Sequence, residues 1–329
     1  FVETMVYNTA LLRRRIRDPR LIIEMTQIGE VSATDVAVCY MQGRVDKRQL
    51  ALLQKKLKDI HIPALTMAQE SLAECLVRGQ WYNPFPKIRY TERPDSAAAC
   101  ISEGQIIVLV DNSAAAMVIP SAMMDFLQDT NDFCFPPIIG TYLRFVRAVI
   151  FLGTLFLMPL WYLLIKNPDS VPQALHFLLI HEPNEVPILL QIILAELLID
   201  GIKLASLNTP DALNNAFSAV GGLILGEFAV KAGIFVPEVL LYMGFTAAAG
   251  FTQPSFELGY AFKVLRLVTV LLIAVLNWAG FAIGVALILV LMATTETVVG
   301  KRYLYPLIPF NGKALLRQLF RYPINRDNC

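Results

Sequence analysis

The sequence predicts an α/β cytosolic domain followed by an α-helical polytopic membrane domain with four to six membrane-embedded helices. Charged side chains are dense up to about Arg147, sparse from 148 to 293 and basic again at the end. The 329 residues are 56% hydrophobic and 17% charged, more apolar than a soluble globule requires. Strand-like and helix-like patterns alternate in the first part, whereas the second contains uncharged runs long enough to cross a bilayer. The expected domains are therefore 1–138 for the α/β part, 139–300 for the helical part and 301–329 for a basic cytosolic tail. Phe1 falls in what reads as the middle of a domain, so a further N-terminal portion is expected ahead of it.

Within residues 9–20 the basic run LLRRRIRDPR is a solvated face, or beside a membrane a contact to anionic lipid, and Pro19 stops it. Residues 35–41 (DVAVCYM) alternate and are rich in β-branched and aromatic side chains, which predicts a strand ended by Gly43. In 47–60, Leu50, Leu53, Leu57 and Ile60 recur at helical spacing opposite a lysine-rich face. Residues 67–78 predict a second short helix, 106–111 (IIVLVD) a buried strand and 116–119 its hairpin partner. Residues 83–95 hold three prolines and fit neither period; they read as an extended crossing pinned by Phe85 and Tyr90. The five cysteines form no CxxC or Cys/His pattern, so free thiols are expected, with no metal centre and no cofactor. A net charge of +1 gives no basic face for nucleic acid.

Residues 148–165 are the first clear span, eighteen positions without a charge. Arg144 and Arg147 precede them, with Trp161 and Tyr162 near the far end, which places the N-terminal domain in the cytosol. Residues 166–187 form an outer loop whose His176 and His181 lack a third ligand for a metal. In 188–205, Glu196, Asp200 and Lys203 fall at steps of four and three on one helical face. Such a helix either lies in the membrane interface or turns its polar face to an aqueous cavity. The stretch 217–236 (FSAVGGLILGEFAVKAGIFV) is long enough to cross a bilayer yet carries Glu227 and Lys231, four apart with the acid first. Each charge would cost roughly 2.5 to 3.5 kcal/mol in lipid, so this helix is expected inside a bundle. Its small residues Ala219, Gly222, Gly226, Ala229 and Gly233 make a stripe on which another helix can pack closely. The span 239–262 is interrupted at Gln253 and Pro254, and the run 267–295 is too long for one helix unless it breaks near Asn277, Trp278 and Gly280. Pro254, Asn277 and Gly280 are the hinge candidates. The tail carries Lys301, Arg302, Lys313, Arg317, Arg321 and Arg326, which keeps both ends inside and the number of crossings even.

No nucleophile–base pair, glycine-rich phosphate loop or HExxH pattern occurs, so no enzyme is expected. Three classes of function stay open: an ion-conducting or solute-releasing oligomer with Glu196, Asp200, Lys203, Glu227 and Lys231 lining or gating a pore; a secondary transporter, against which the lack of an internal repeat counts; and a membrane scaffold whose charges only pair helices.

The runs PFPKIRYTERPD (84–95), EGQIIVLVDNS (103–113), GGLILGEFAVKAG (221–233) and YLYPLIPF (303–310), with residues 140–147, resemble the A-subunit family of bacterial spore germination receptors along essentially the whole chain. That resemblance implies a place in the spore inner membrane, with the N-terminal domain and the tail in the spore core, and a role in germination. It implies a homo-oligomer, with a pentameric ring as the proposed form, that releases ions alongside other germination membrane proteins and membrane lipid. It also implies that nutrient sensing belongs to a separate subunit.

Overall fold

A computed structural model of the chain describes residues 1–77, 82–180, 185–208, 222 and 224–321, with side chains left out at 206–208 and 224–225. It divides into two compact units, Phe1–Arg144 with Leu291–Cys329, and Phe145–Val290. Residues 291–321 thus group with the N-terminal unit.

The first unit is built on a five-stranded antiparallel sheet in the order β1-β2-β4-β5-β3, where β1 is Leu21–Ile28, β2 Thr34–Met41, β3 Arg89–Thr91, β4 Ile106–Val110 and β5 Ala116–Ile119. The predicted hairpin is present, with Ile106 opposite Ile119 and Leu109 opposite Ala116. Helices cover both faces. Alternate residues Ala37, Cys39, Ile107, Leu109 and Val118 pack with α1 (Met5–Arg15) and α4 (Pro94–Ser102). The intervening Val36, Val38, Ile106, Val108 and Met117 pack against α2 (Lys47–Lys58) and α3 (Gln69–Leu76). Burial on both sides is why β4 reads as the continuous apolar run IIVLV instead of alternating. The edge strand β1 does carry polar groups: Glu24 accepts hydrogen bonds from the Tyr40 hydroxyl at 2.5 Å and the Gln54 amide at 2.5 Å.

The basic run of residues 9–20 contains the end of α1, where Leu12 and the C-cap residue Ile16 are buried, so the arginines are the solvated side of a structural helix. The 83–95 crossing contributes the short strand β3. From the C-terminal part, Val298 and Val299 join the α2–α3 face, and the fully buried Tyr303 ring lies 5.7 Å from Phe85 and 6.2 Å from Phe126. Removing that much apolar surface from water is worth about 1.5–3 kcal/mol.

The helix Pro137–Lys166 passes from the first unit into the second. There follow the helix Ile188–Asn208, a π-helical turn at Ile224–Phe228 running into Ala229–Lys231, and the helices Pro237–Gly250, Phe256–Leu276 and Trp278–Thr294. Pro137–Lys166 and Phe256–Leu276 are long and apolar enough to cross a membrane, and Trp278–Thr294 is apolar but shorter. The second unit has its own core, including Met158, Trp161, Ile192, Val239, Met243 and Ile273. Its outer surface is also apolar, with Leu197, Leu241, Val275 and Leu289 exposed. A surface of that kind is suited to contact with hydrocarbon or another protein. Trp161 and Tyr162 are buried, and the Trp161 indole donates to the Leu178 carbonyl at 2.8 Å, holding the turn Gln173–Leu178 against the helix that precedes it.

The interruption at Pro254 separates two helices, the second capped by the Ser255 hydroxyl. The break in the 267–295 run falls at Asn277, which adopts φ +54°. Asn277 and Asn167 exchange amide hydrogen bonds at 2.6 and 2.8 Å. Lys166 donates to the Ala274 carbonyl at 2.7 Å, satisfying a helix end. A side chain at Gly280 would collide with the Leu272 backbone, and one at Gly284 would meet Thr269 at 2.7 Å. The two helices therefore form a tight hairpin.

Candidate functional site

The helix Ile188–Asn208 presents Glu196, Asp200 and Lys203 along one side, as their spacing requires. Opposite them, Phe256–Leu276 presents Lys263 and Arg266, three residues apart. Glu196 is the hub. Its Oε2 lies 2.9 Å from Lys263 Nζ, and its Oε1 accepts from Arg266 Nη2. Lys263 also reaches Asp200 Oδ2 at 2.5 Å. Arg266 Nη1 donates to the Thr154 carbonyl at 2.8 Å, and the Gln253 amide donates to Thr154 Oγ1 at 3.3 Å. Lys203 sits over the rings of Phe251 and Tyr260, at 5.7 and 5.9 Å from their centroids.

Glu196, Lys203, Lys263 and Arg266 line a cavity of about 50 Å³ together with Thr154, Thr246, Gln253 and Tyr260. That is room for a few water molecules. Exposure falls steeply across the cluster: the side chains of Glu196 and Arg266 are 6% and 7% exposed, against 32% for Asp200. Three buried polar atoms, Asp200 Oδ1, Gln253 Oε1 and Arg266 Nε, have no hydrogen-bond partner among the described residues. Buried polar atoms are normally paired with protein or ordered water. With three cations and two carboxylates, the cluster has a net charge of +1.

Spacing identifies the Ile188–Asn208 half of this cluster but misses Lys263 and Arg266, because 263–266 falls in the gap between two apolar runs. Their signal was present: two cations three apart flanked by apolar residues, with the same period as the helix that contains them.

Glu227 and Lys231 are paired with each other at 2.6 Å, at 54% and 68% side-chain exposure, outside this cluster. Ala219 lies outside the described residues. Gly222 and Gly226 line a second, apolar cavity of about 180 Å³ with Ala195, Phe235, Met243 and Gly244. A Cβ at Gly222, Gly226 or Gly233 would meet nothing within 4 Å among the described residues, and Gly233 adopts φ +70°. Ala229 packs at the edge of the core. His176 contacts the Val171 carbonyl at 3.2 Å, and His181 lies outside the described residues. No group of three metal-ligating side chains occurs among the described residues.

Compared with known proteins, residues 1–328 match the family described as Bacillus/Clostridium GerA spore germination protein. The chain is 40% identical over 321 residues to Stage V sporulation protein AF of Bacillus subtilis (strain 168), across 98% of its own length and 65% of that protein. It is 27% identical to Spore germination protein KA of the same organism, across 98% of its own length and 59% of that protein. The chain thus spans less than two thirds of either relative. A solved domain, the N-terminal domain of the A subunit of the Bacillus megaterium spore germinant receptor GerK3, is 35% identical over 36% of this chain and 92% of that one, at a TM-score of 0.29.

Proposed function

This chain belongs to the Bacillus/Clostridium GerA spore germination protein family, and from that premise we propose that it is a subunit of an oligomeric channel-like complex in the spore inner membrane, where it releases ions in response to germinant signalling or amplifies that signal. The observation that carries this reading is the cavity lined by Glu196, Lys203, Lys263 and Arg266, with Asp200 paired to Lys263, within a helical unit whose exterior is apolar. Ionisable groups at membrane depth face the interior of a bundle or a hydrated path. The four to six crossings, the inward-facing N-terminal unit and basic tail, and a homo-oligomer of pentameric form belong to the same proposal. A ring would repeat each charge by symmetry around an axis. In that setting Glu227 and Lys231, exposed on the single chain, would meet a neighbouring subunit or the axis.

The charge pairs favour a second reading: Glu196 is held by two cations and Glu227 by Lys231, the arrangement a non-conducting scaffold or accessory subunit would use to fix helix register. Ion release from vesicles carrying the reconstituted protein separates the two. A conducting subunit empties potassium-loaded vesicles faster than protein-free controls, and Glu227→Gln slows it while leaving the oligomer size unchanged. No release above the controls leaves the scaffold.

A further inference from the structure

A second charged feature lies in the Phe1–Arg144 and Leu291–Cys329 unit. A groove of about 1080 Å³ is lined by five cations, Arg44, Arg144, Lys313, Arg317 and Arg321, against two carboxylates, Glu103 and Asp125. Its framework is fixed. Arg144 is buried, lies 3.6 Å from Asp132 and donates to the Gln318 carbonyl at 3.0 Å, so it holds the end of the helix Gly312–Leu319. Arg321 donates from Nη2 to the Phe133 carbonyl at 2.9 Å, while its buried Nη1 has no hydrogen-bond partner among the described residues. Lys313 and Arg317 are exposed, one helical turn apart.

The lining of the groove also includes the apolar side chains of Phe133, Leu316 and Phe320. The helix Gly312–Leu319 has no buried residue, and its Leu316 and Leu319 are exposed, as is Phe320 just after it. Phe310 is 75% exposed, and Ile138 and Tyr142, on the first turns of the helix Pro137–Lys166, are 85% and 64% exposed. A short helix with leucines on one side and lysine and arginine on its flank is built to lie in a membrane interface. Arg144 belongs to the same helix as the uncharged run 148–165 and lies four residues before it in sequence.

We propose that this groove binds the phosphate headgroup of an anionic phospholipid, with Lys313, Arg317 and Arg321 holding the phosphate and Phe310, Leu316 and Phe320 entering the acyl boundary. Charge complementarity selects the headgroup, and the apolar rim selects a lipid over a soluble phosphate. The site does not depend on whether the Glu196 cluster conducts ions.

Native mass spectrometry of the detergent-purified chain tests the proposal, with phosphatidylglycerol, phosphatidylcholine or glycerol 3-phosphate added. Phosphatidylglycerol adducts should outlast phosphatidylcholine adducts. The double substitution Lys313→Gln/Arg317→Gln removes two exposed cations and should weaken phosphatidylglycerol binding about 30-fold, at ~1 kcal/mol per basic residue. The control Arg13→Gln/Arg14→Gln removes the same charge from α1 and should leave binding unchanged. Equal retention of the two lipids, or equal loss in both double variants, would overturn the site. Displacement of phosphatidylglycerol by millimolar glycerol 3-phosphate would overturn the lipid as its occupant.

Discussion

Glu196→Gln is the substitution with the clearest calculable effect. The amide keeps the shape of the side chain but removes the one carboxylate that Arg266 contacts, while Lys263 retains Asp200 at 2.5 Å. Arg266, 7% exposed, then has only neutral acceptors, the Thr154 carbonyl and the oxygen of the new amide. A buried cation stripped of its partner costs about 3–5 kcal/mol, whereas a neutral pair of similar volume costs far less than the broken one. For a unit of about 150 residues, each kcal/mol moves the midpoint by about 2–4 °C, so the single variant should melt about 6–20 °C lower. Glu196→Gln/Arg266→Gln should recover more than half of that loss, because no unpaired buried charge remains. Thermal unfolding in one detergent at fixed protein concentration measures both. A shift under about 2 °C for the single variant, or a double variant no more stable than the single, would refute the burial argument.

Gly280→Ala should cost about 1–3 kcal/mol, because the added methyl meets the Leu272 backbone at the closest point of the hairpin; an unchanged melting midpoint would place the two helices further apart. Burial pushes the Cys39 thiol up to about 12, so almost no thiolate forms at pH 8, whereas Cys134 is exposed. Maleimide labelling read by peptide mass mapping should mark Cys134 within minutes and Cys39 only after denaturation; early labelling of Cys39 would contradict the packing of β2 between its helix layers.

Much of the first unit was legible because its strands and helices keep clean periods. The 106–110 and 116–119 hairpin, the 34–41 strand and the 47–58 helix lie within two residues of their expected limits. Helix α1 and strand β1 were hidden by the arginine run, since a solvated charged face masks the Leu12 and Ile16 stripe that makes it structural. Strand β3 was masked by the prolines flanking it at an edge. In the second unit, the breaks at Pro254 and Asn277 followed from residues that cannot continue a helix or that tolerate positive φ. The partners of Glu196 were not legible, because pairing between helices distant in sequence leaves no local spacing to read. For the same reason Glu227 and Lys231 looked like the centre of the chain, although the buried charge cluster is built around Glu196.

The ion route is tested most directly at Asp200, the least buried carboxylate of the cluster, by placing a cysteine there in a unit that has none of its own. Asp200→Cys protein in potassium-loaded vesicles would be treated with an anionic or a cationic methanethiosulfonate reagent, with the unsubstituted chain as control and labelling at 200 verified by mass. If ions pass this point, the anionic adduct restores release toward the unsubstituted rate and the cationic adduct slows it at least tenfold. Equal release with both adducts, at full labelling, would contradict a route through the Glu196 cluster.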